Sequence, residues 1–84
     1  MGKHEDVLRQ ILSGMADANI RFDDLRSLLV RLGFEERIRG SHHNFRRKGI
    51  SEKINLQRDG SKAKPYQVRQ VRNVILRHKL AGEL

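Results

Sequence analysis

Gly40-Ser41-His42-His43-Asn44-Phe45-Arg46-Arg47-Lys48-Gly49 and, just beyond it, Glu52-Lys53-Ile54-Asn55-Leu56-Gln57 decide the fold. Apolar and polar side chains alternate in both: Asn44 and Arg46 flank Phe45, and Ile54 and Leu56 bracket Asn55. A period of two belongs to a half-buried strand. Strands are therefore predicted over His42 to Arg47 and about Glu52 to Gln57, joined tightly through Lys48-Gly49. Upstream, Phe34 and Ile38 share one parity with Arg37 and Arg39 around them, which gives another strand that Gly40-Ser41 turns back. The three read as an antiparallel meander.

Outward from this sheet the period changes to that of a helix. Val7, Leu8, Ile11, Leu12 and Met15 form one stripe, predicting a helix from about Glu5 to Ala16. Asn19-Ile20-Arg21-Phe22 interrupts the stripe. Asp23 then stands as an N-cap with Asp24 beside it, and Leu25, Leu28, Leu29 and Leu32 share a face that Gly33 terminates. After the turn chemistry of Arg58-Asp59-Gly60-Ser61, Pro65 suits a first helical turn. The last helix runs to about Lys79, with Val68, Val71, Ile75, Val74 and Leu76 toward the core and Arg69, Arg72 and Arg77 on the other side. The order α-α-β-β-β-α predicts an α+β fold: a two-layer sandwich in which a three-stranded antiparallel sheet has helices on one face and a polar, open opposite face.

Eighty-four residues suit one domain, with too little surface to bury for two cores. The absence of cysteine excludes a disulfide framework, thiolate catalysis and Cys-based metal sites. No apolar stretch approaches the ~20 residues of a membrane span, and the first residues have neither a signal-peptide pattern nor a myristoylation pattern. A cytoplasmic chain without membrane association is expected.

The net charge of +8 is segregated: residues 1–36 carry five basic and seven acidic side chains, and residues 37–84 hold thirteen basic and three acidic ones. Such asymmetry is the footprint of a polyanion binder; a merely solvated basic surface is the plainer alternative.

Strand alternation sorts the candidate residues. With Phe45 inward, His43 shares its side, and His42, Asn44 and Arg46 face out; Ile54 and Leu56 inward leave Lys53, Asn55 and Gln57 outward. The outer face thus collects one imidazole among cations and amides. An imidazole with a pKa of about 6.5 can take a proton from a ribose 2′-hydroxyl or give one to a leaving 5′-oxygen. Nearby Arg and Lys can stabilise charge on the phosphate oxygens. That is the equipment of a metal-independent ribonuclease. For His42 the plain alternative is a polar residue flanking a turn; His43 reads as a partly buried, hydrogen-bonded histidine at the sheet–helix junction, with orienting the strand or assisting the site as its alternative, and His4 and His78 suggest no site. The histidines lack metal-ligand spacing and the glycines are isolated, so neither a metal nor a nucleotide cofactor is expected.

Leu32-Gly33-Phe34, Gly40-Ser41-His42-His43-Asn44-Phe45, Glu52-Lys53-Ile54-Asn55-Leu56-Gln57 and Ser61-Lys62-Ala63-Lys64-Pro65-Tyr66-Gln67-Val68-Arg69-Gln70-Val71 together resemble the HicA toxins of bacterial toxin–antitoxin systems. The resemblance covers about residues 20–80, with residues 1–19 as an additional N-terminal helix. It implies a double-stranded-RNA-binding-domain-like fold and an mRNA interferase neutralised by a HicB-type antitoxin. It further implies His42 as the catalytic residue, presented by Gly40 and Ser41. The RNA-binding set expected on this reading is Ser41, Asn44, Arg46, Lys53, Asn55, Gln57, Arg58, Lys62 and Lys64. Two departures stand out: Asn44 replaces a commonly aliphatic residue, and Leu56-Gln57-Arg58 lacks a Pro-x-His element that many relatives carry there. The rival readings are an RNA-binding module that does not cut and an interaction protein whose basic face docks an acidic partner.

Overall fold

The computed structural model describes residues 2–84. Helix α1 spans Lys3–Ser13 and α2 Phe22–Arg31; β1 (Glu35–Arg39), β2 (His42–Arg46) and β3 (Ile54–Leu56) follow. A small hairpin of β4 (Arg58–Asp59) and β5 (Lys62–Ala63) precedes α3 (Pro65–Arg77). The sheet is antiparallel in the order β1-β2-β3, with Ile38 opposite His43, Arg39 opposite His42 and Phe45 opposite Ile54. Phe45, Ile54 and Leu56 are fully buried in one cluster with Leu25, Leu28 and Leu29 of α2 and Val68, Val71 and Ile75 of α3. The other sheet face is open, with Arg37, Arg39, His42, Arg46 and Asn55 exposed and Asn44 half-buried. The helices thus cover one face, as alternation requires.

Helix α2 ends as the sequence dictates. Gly33 is left-handed at φ 91°, its N–H donates to the Val30 carbonyl at 3.0 Å, and the Phe34 N–H donates to that of Leu29 at 3.0 Å. This double closure redirects the chain into β1 and lets Phe34 cover the last turn.

Several boundaries differ from expectation, each for a physical reason. Gly14 takes a left-handed conformation at φ 70° and stops α1 at Ser13, so Met15 is 90% exposed instead of joining the stripe. Helix α2 begins at Phe22, with Arg21 rather than Asp23 in the N-cap position; Asp23 and Asp24 sit in its first turn, where they still favour the dipole. The expected turn at residues 58–61 is present, with Gly60 left-handed at φ 64°, but it closes the β4–β5 hairpin, which sequence reasoning missed. Its Ser61 carbonyl accepts from the Phe22 N–H at 3.0 Å, and the Ala63 N–H donates to the Ile20 carbonyl at 2.9 Å. Ile20 and Phe22 are consequently buried, a core contribution that helical periodicity does not reveal. Strand β2 stops at Arg46, and β3 keeps only Ile54–Leu56 of the longer strand expected. Helix α3 stops at Arg77 because Lys79 turns left-handed at φ 54°, which sends Leu80 into the core while Leu76 faces solvent. Arg72, expected on the outer side of α3, is half-buried. Its guanidinium donates to the Ile11 carbonyl at 3.1 Å and to both oxygens of Asp17 at 2.8 and 3.3 Å, tying α3 to the end of α1.

Among the described residues, no helix is long and apolar enough to cross a membrane.

Candidate nucleic-acid interface

The β1–β2 turn positions the imidazoles. Gly40 is left-handed at φ 58°, and a Cβ there would meet nothing within 4 Å, so its glycine answers to backbone geometry and not to crowding. His42 and His43 emerge from the turn on opposite faces of β2.

His42 is exposed on the outer face opposite Arg39. Its Nε2 lies 3.3 Å from the Gln57 amide nitrogen, and the Gln57 Oε1 accepts from the Lys64 ammonium at 3.4 Å. The ammonium fixes which end of the amide is oxygen, so the nitrogen end donates to His42 and Nε2 is the acceptor. Gln57 is itself anchored: its backbone N–H donates to the Oε1 of Gln67, a buried side chain at the start of α3, at 3.1 Å.

His43 turns inward. Its Nδ1 lies 2.8 Å from the Glu36 Oε2, which also accepts from Arg26 at 2.5 Å, and its ring meets Phe22 edge-on at 4.8 Å between centroids. Burial pushes the Glu36 carboxyl up, but the hydrogen bonds and charges of Arg26 and His43 outweigh it and hold the group below the ordinary carboxylate value. A carboxyl lowered in the fold contributes stability above its unfolded value of 4.5 and loses it as acid titrates the folded group. Glu36→Gln should therefore lower the melting temperature at neutral pH, with the gap to wild type closing in acid. Thermal unfolding of both proteins across pH checks this; a gap constant with pH would remove Glu36 from the acid limb.

The expected RNA-binding residues divide into two groups. Asn44, Arg46, Lys53 and Asn55 lie on or beside the open sheet face, where register places Asn44 between Arg37 and Asn55. Ser41, Gln57, Arg58 and Lys64 instead line a cavity of about 250 Å³ with Gly40 and His43 at the end of the sheet. Arg58 rests over the Phe22 ring at 4.4 Å and pairs with Asp23 at 2.9 Å. Lys62 joins neither group. It shares the far side of the hairpin with Asp59 and donates to the Asn19 Oδ1 at 3.0 Å.

No family model matches the chain, and no curated protein or solved structure is significantly similar to it. Its chemistry is therefore read from its own side chains.

Sequence reasoning missed Arg37 and Arg39 as members of the outer face, although their parity opposite Ile38 already places them there. It also missed Glu36, whose parity with Ile38 sets a carboxylate against His43. The electrostatics sharpen the picture. Arg9, Arg26, Arg47, Arg58, Arg72 and Arg77 are engaged in ion pairs; Arg37, Arg39 and Arg46 form none with any described residue, and neither do Arg21, Arg31 and Arg69 elsewhere on the surface. What distinguishes the open face is that its three guanidinium groups flank His42 and Asn44, with Glu35 as the one carboxylate opposite Arg46. Among the described residues, no three His, Asp or Glu side chains gather as metal ligands.

Proposed function

We propose that the chain is a metal-independent endoribonuclease of the HicA type, a cytoplasmic toxin that cuts mRNA and is neutralised by a HicB-type antitoxin. One observation carries this reading: the exposed imidazole of His42 stands across from Arg39 on a sheet face whose three arginines are unpaired. The order α2, β1–β3, α3 supports a double-stranded-RNA-binding-domain-like core, with α1 and the β4–β5 hairpin as additions. An acidic antitoxin would be drawn to the same cations that hold RNA.

In the reaction, His42 takes the proton of a ribose 2′-hydroxyl as O2′ bonds to phosphorus and the P–O5′ bond breaks. The 5′-oxygen leaves with a proton drawn from water and the His42 imidazolium returns its proton to solvent, giving a 2′,3′-cyclic phosphate and a 5′-hydroxyl. The Gln57 amide must yield its place at Nε2 to that hydroxyl. Guanidinium groups stabilise the charge that builds on the phosphate oxygens. Incubating a single-stranded transcript with the protein in EDTA tests the reading. Fragments ending in cyclic phosphate are expected; intact RNA at high protein concentration would overturn it.

The second reading, a module that binds RNA without cutting, is favoured by the Gln57 contact, which already occupies the lone pair His42 would use. Intact RNA with tight binding is its signature.

Both readings share an electrostatic consequence. Each phosphate contact on a single strand contributes ~0.7 to the slope of log K against log salt. Arg37→Ala and Arg39→Ala should each weaken RNA binding and flatten that slope by about this amount. Anisotropy titrations at several salt concentrations measure it; unchanged slopes would place the RNA elsewhere.

A further inference from the structure

The ribonuclease reading places its chemistry on the open sheet face and counts Ser41, Gln57, Arg58 and Lys64 as RNA contacts, but gives the cavity they line with His43 no specific ligand group. The walls of that cavity are Gly40, Ser41, His43, Gln57, Arg58 and Lys64. No carboxylate and no apolar side chain is among them, in contrast to the hollow lined by Leu8, Leu12 and Leu84 beside α1. Its volume is several times the ~30 Å³ of one liquid water, so it admits more than a solvent molecule.

The cavity wall is held from behind. Glu36 takes Nδ1 of His43, and the ring's edge against Phe22 fixes its plane. No buried side-chain nitrogen or oxygen among the described residues lacks a partner, so Nε2 of His43, which makes no hydrogen bond, reaches solvent. Lys64 reaches the same cavity from the start of α3, and Arg58 reaches it from β4 across the Phe22 ring. The two carboxylates nearby, Glu36 and Asp23, are each committed to a cation, Arg26 and Arg58. What remains facing the cavity is donor-rich: an ammonium, a hydroxyl and a guanidinium that shares one N–H with Asp23, beside an imidazole whose Nδ1–H is spent on Glu36. Such a set matches the oxygens of a phosphate.

We propose that this cavity is a phosphate subsite for a nucleic-acid strand, in which Arg58 and Lys64 meet the phosphate and the His43 ring, oriented by Glu36, forms one wall. As a subsite of RNA cleavage it rests on the ribonuclease reading; as a phosphodiester site it does not. The Gln57 side chain joins the two regions, since it lines the cavity and also contacts His42. A strand seated here therefore has an adjacent phosphate or ribose within the neighbourhood of His42.

The probe is thymidylyl-thymidine, a deoxydinucleotide with one phosphodiester and no 2′-hydroxyl, so it binds without being cut. Titrated into the isotope-labelled full chain, it should perturb the amides of residues 40–43, 57, 58 and 64. Arg58→Gln combined with Lys64→Gln should raise its Kd by about tenfold or more, because each removes a charge-assisted hydrogen bond. Both positions are outside the core, so the double variant is expected to fold, and its amide spectrum verifies that. Perturbations centred on Arg37, Arg39 and Arg46, or an unchanged Kd in the double variant, overturn the proposal. The two readings fail separately. If the probe seats in the cavity while wild type leaves RNA intact, the subsite stands and the ribonuclease falls; if RNA is cut but the probe seats on the open face, the reverse holds.

Discussion

His42→Ala is expected to slow RNA cleavage by ~10²–10⁴-fold, the usual worth of one positioned proton-transfer group, while RNA affinity stays nearly unchanged. The separation follows from where the residues sit. His42 is exposed and contributes nothing to the core, and the hydrogen bond it loses to Gln57 is a surface contact. Stability should therefore move by no more than about 0.5 kcal/mol. On the proposed reading affinity rests on the cations, Arg37, Arg39 and Arg46 of the open face and Arg58 and Lys64 of the cavity, all of which the substitution leaves in place. Cleavage of an end-labelled transcript in EDTA, run beside anisotropy titration of the same RNA, reads both quantities. Equal cleavage rates in the two proteins would remove His42 from the mechanism. Loss of binding in parallel with cleavage would instead make it a contact residue.

The sheet was legible because alternation is regular in β2 and β3, whereas in β1 Ile38 is 55% exposed. Phe45, Ile54 and Leu56 are each fully buried, and the residues between them face outward or stand half-exposed. The same parity would have brought Arg37 and Arg39 onto the open face and Glu36 against His43, had it been carried through β1 as it was through β2 and β3. The β4–β5 hairpin was hidden for a different reason. Its two-residue strands carry no periodicity, and it exists because Ile20 and Phe22 offer backbone groups and apolar side chains to it. That is a long-range pairing which local pattern does not encode. It also misplaced the start of α2: a good local N-cap at Asp23 gave way to the burial of Phe22 one position earlier. The site was half legible on the same terms. Alternation found the exposed imidazole, whereas the cavity depends on the hairpin that carries Arg58 toward β2, and nothing within residues 40–57 announces it.

Phe22→Ala should cost ~3–5 kcal/mol, as should Phe45→Ala, since both rings are fully buried and a truncated aromatic leaves a cavity that the surroundings fill only in part. For a domain of this size each kcal/mol moves the melting temperature by about 4–8 °C, so both proteins should melt at least roughly 12 °C below wild type. The two differ in what else they disturb. The Phe45 ring serves packing beneath the sheet, but the Phe22 ring also carries the Arg58 guanidinium on its face and meets His43 at its edge. Phe22→Leu separates these roles. It keeps most of the apolar volume and should fold, yet it withdraws the aromatic face from Arg58 and the ring contact from His43. Binding of the deoxydinucleotide should then weaken in Phe22→Leu and persist in Phe45→Leu at temperatures where both are folded. Calorimetry and amide titration decide the matter. If Phe22→Ala melts with wild type, the ring is not part of the core and the placement of Arg58 above it loses its foundation.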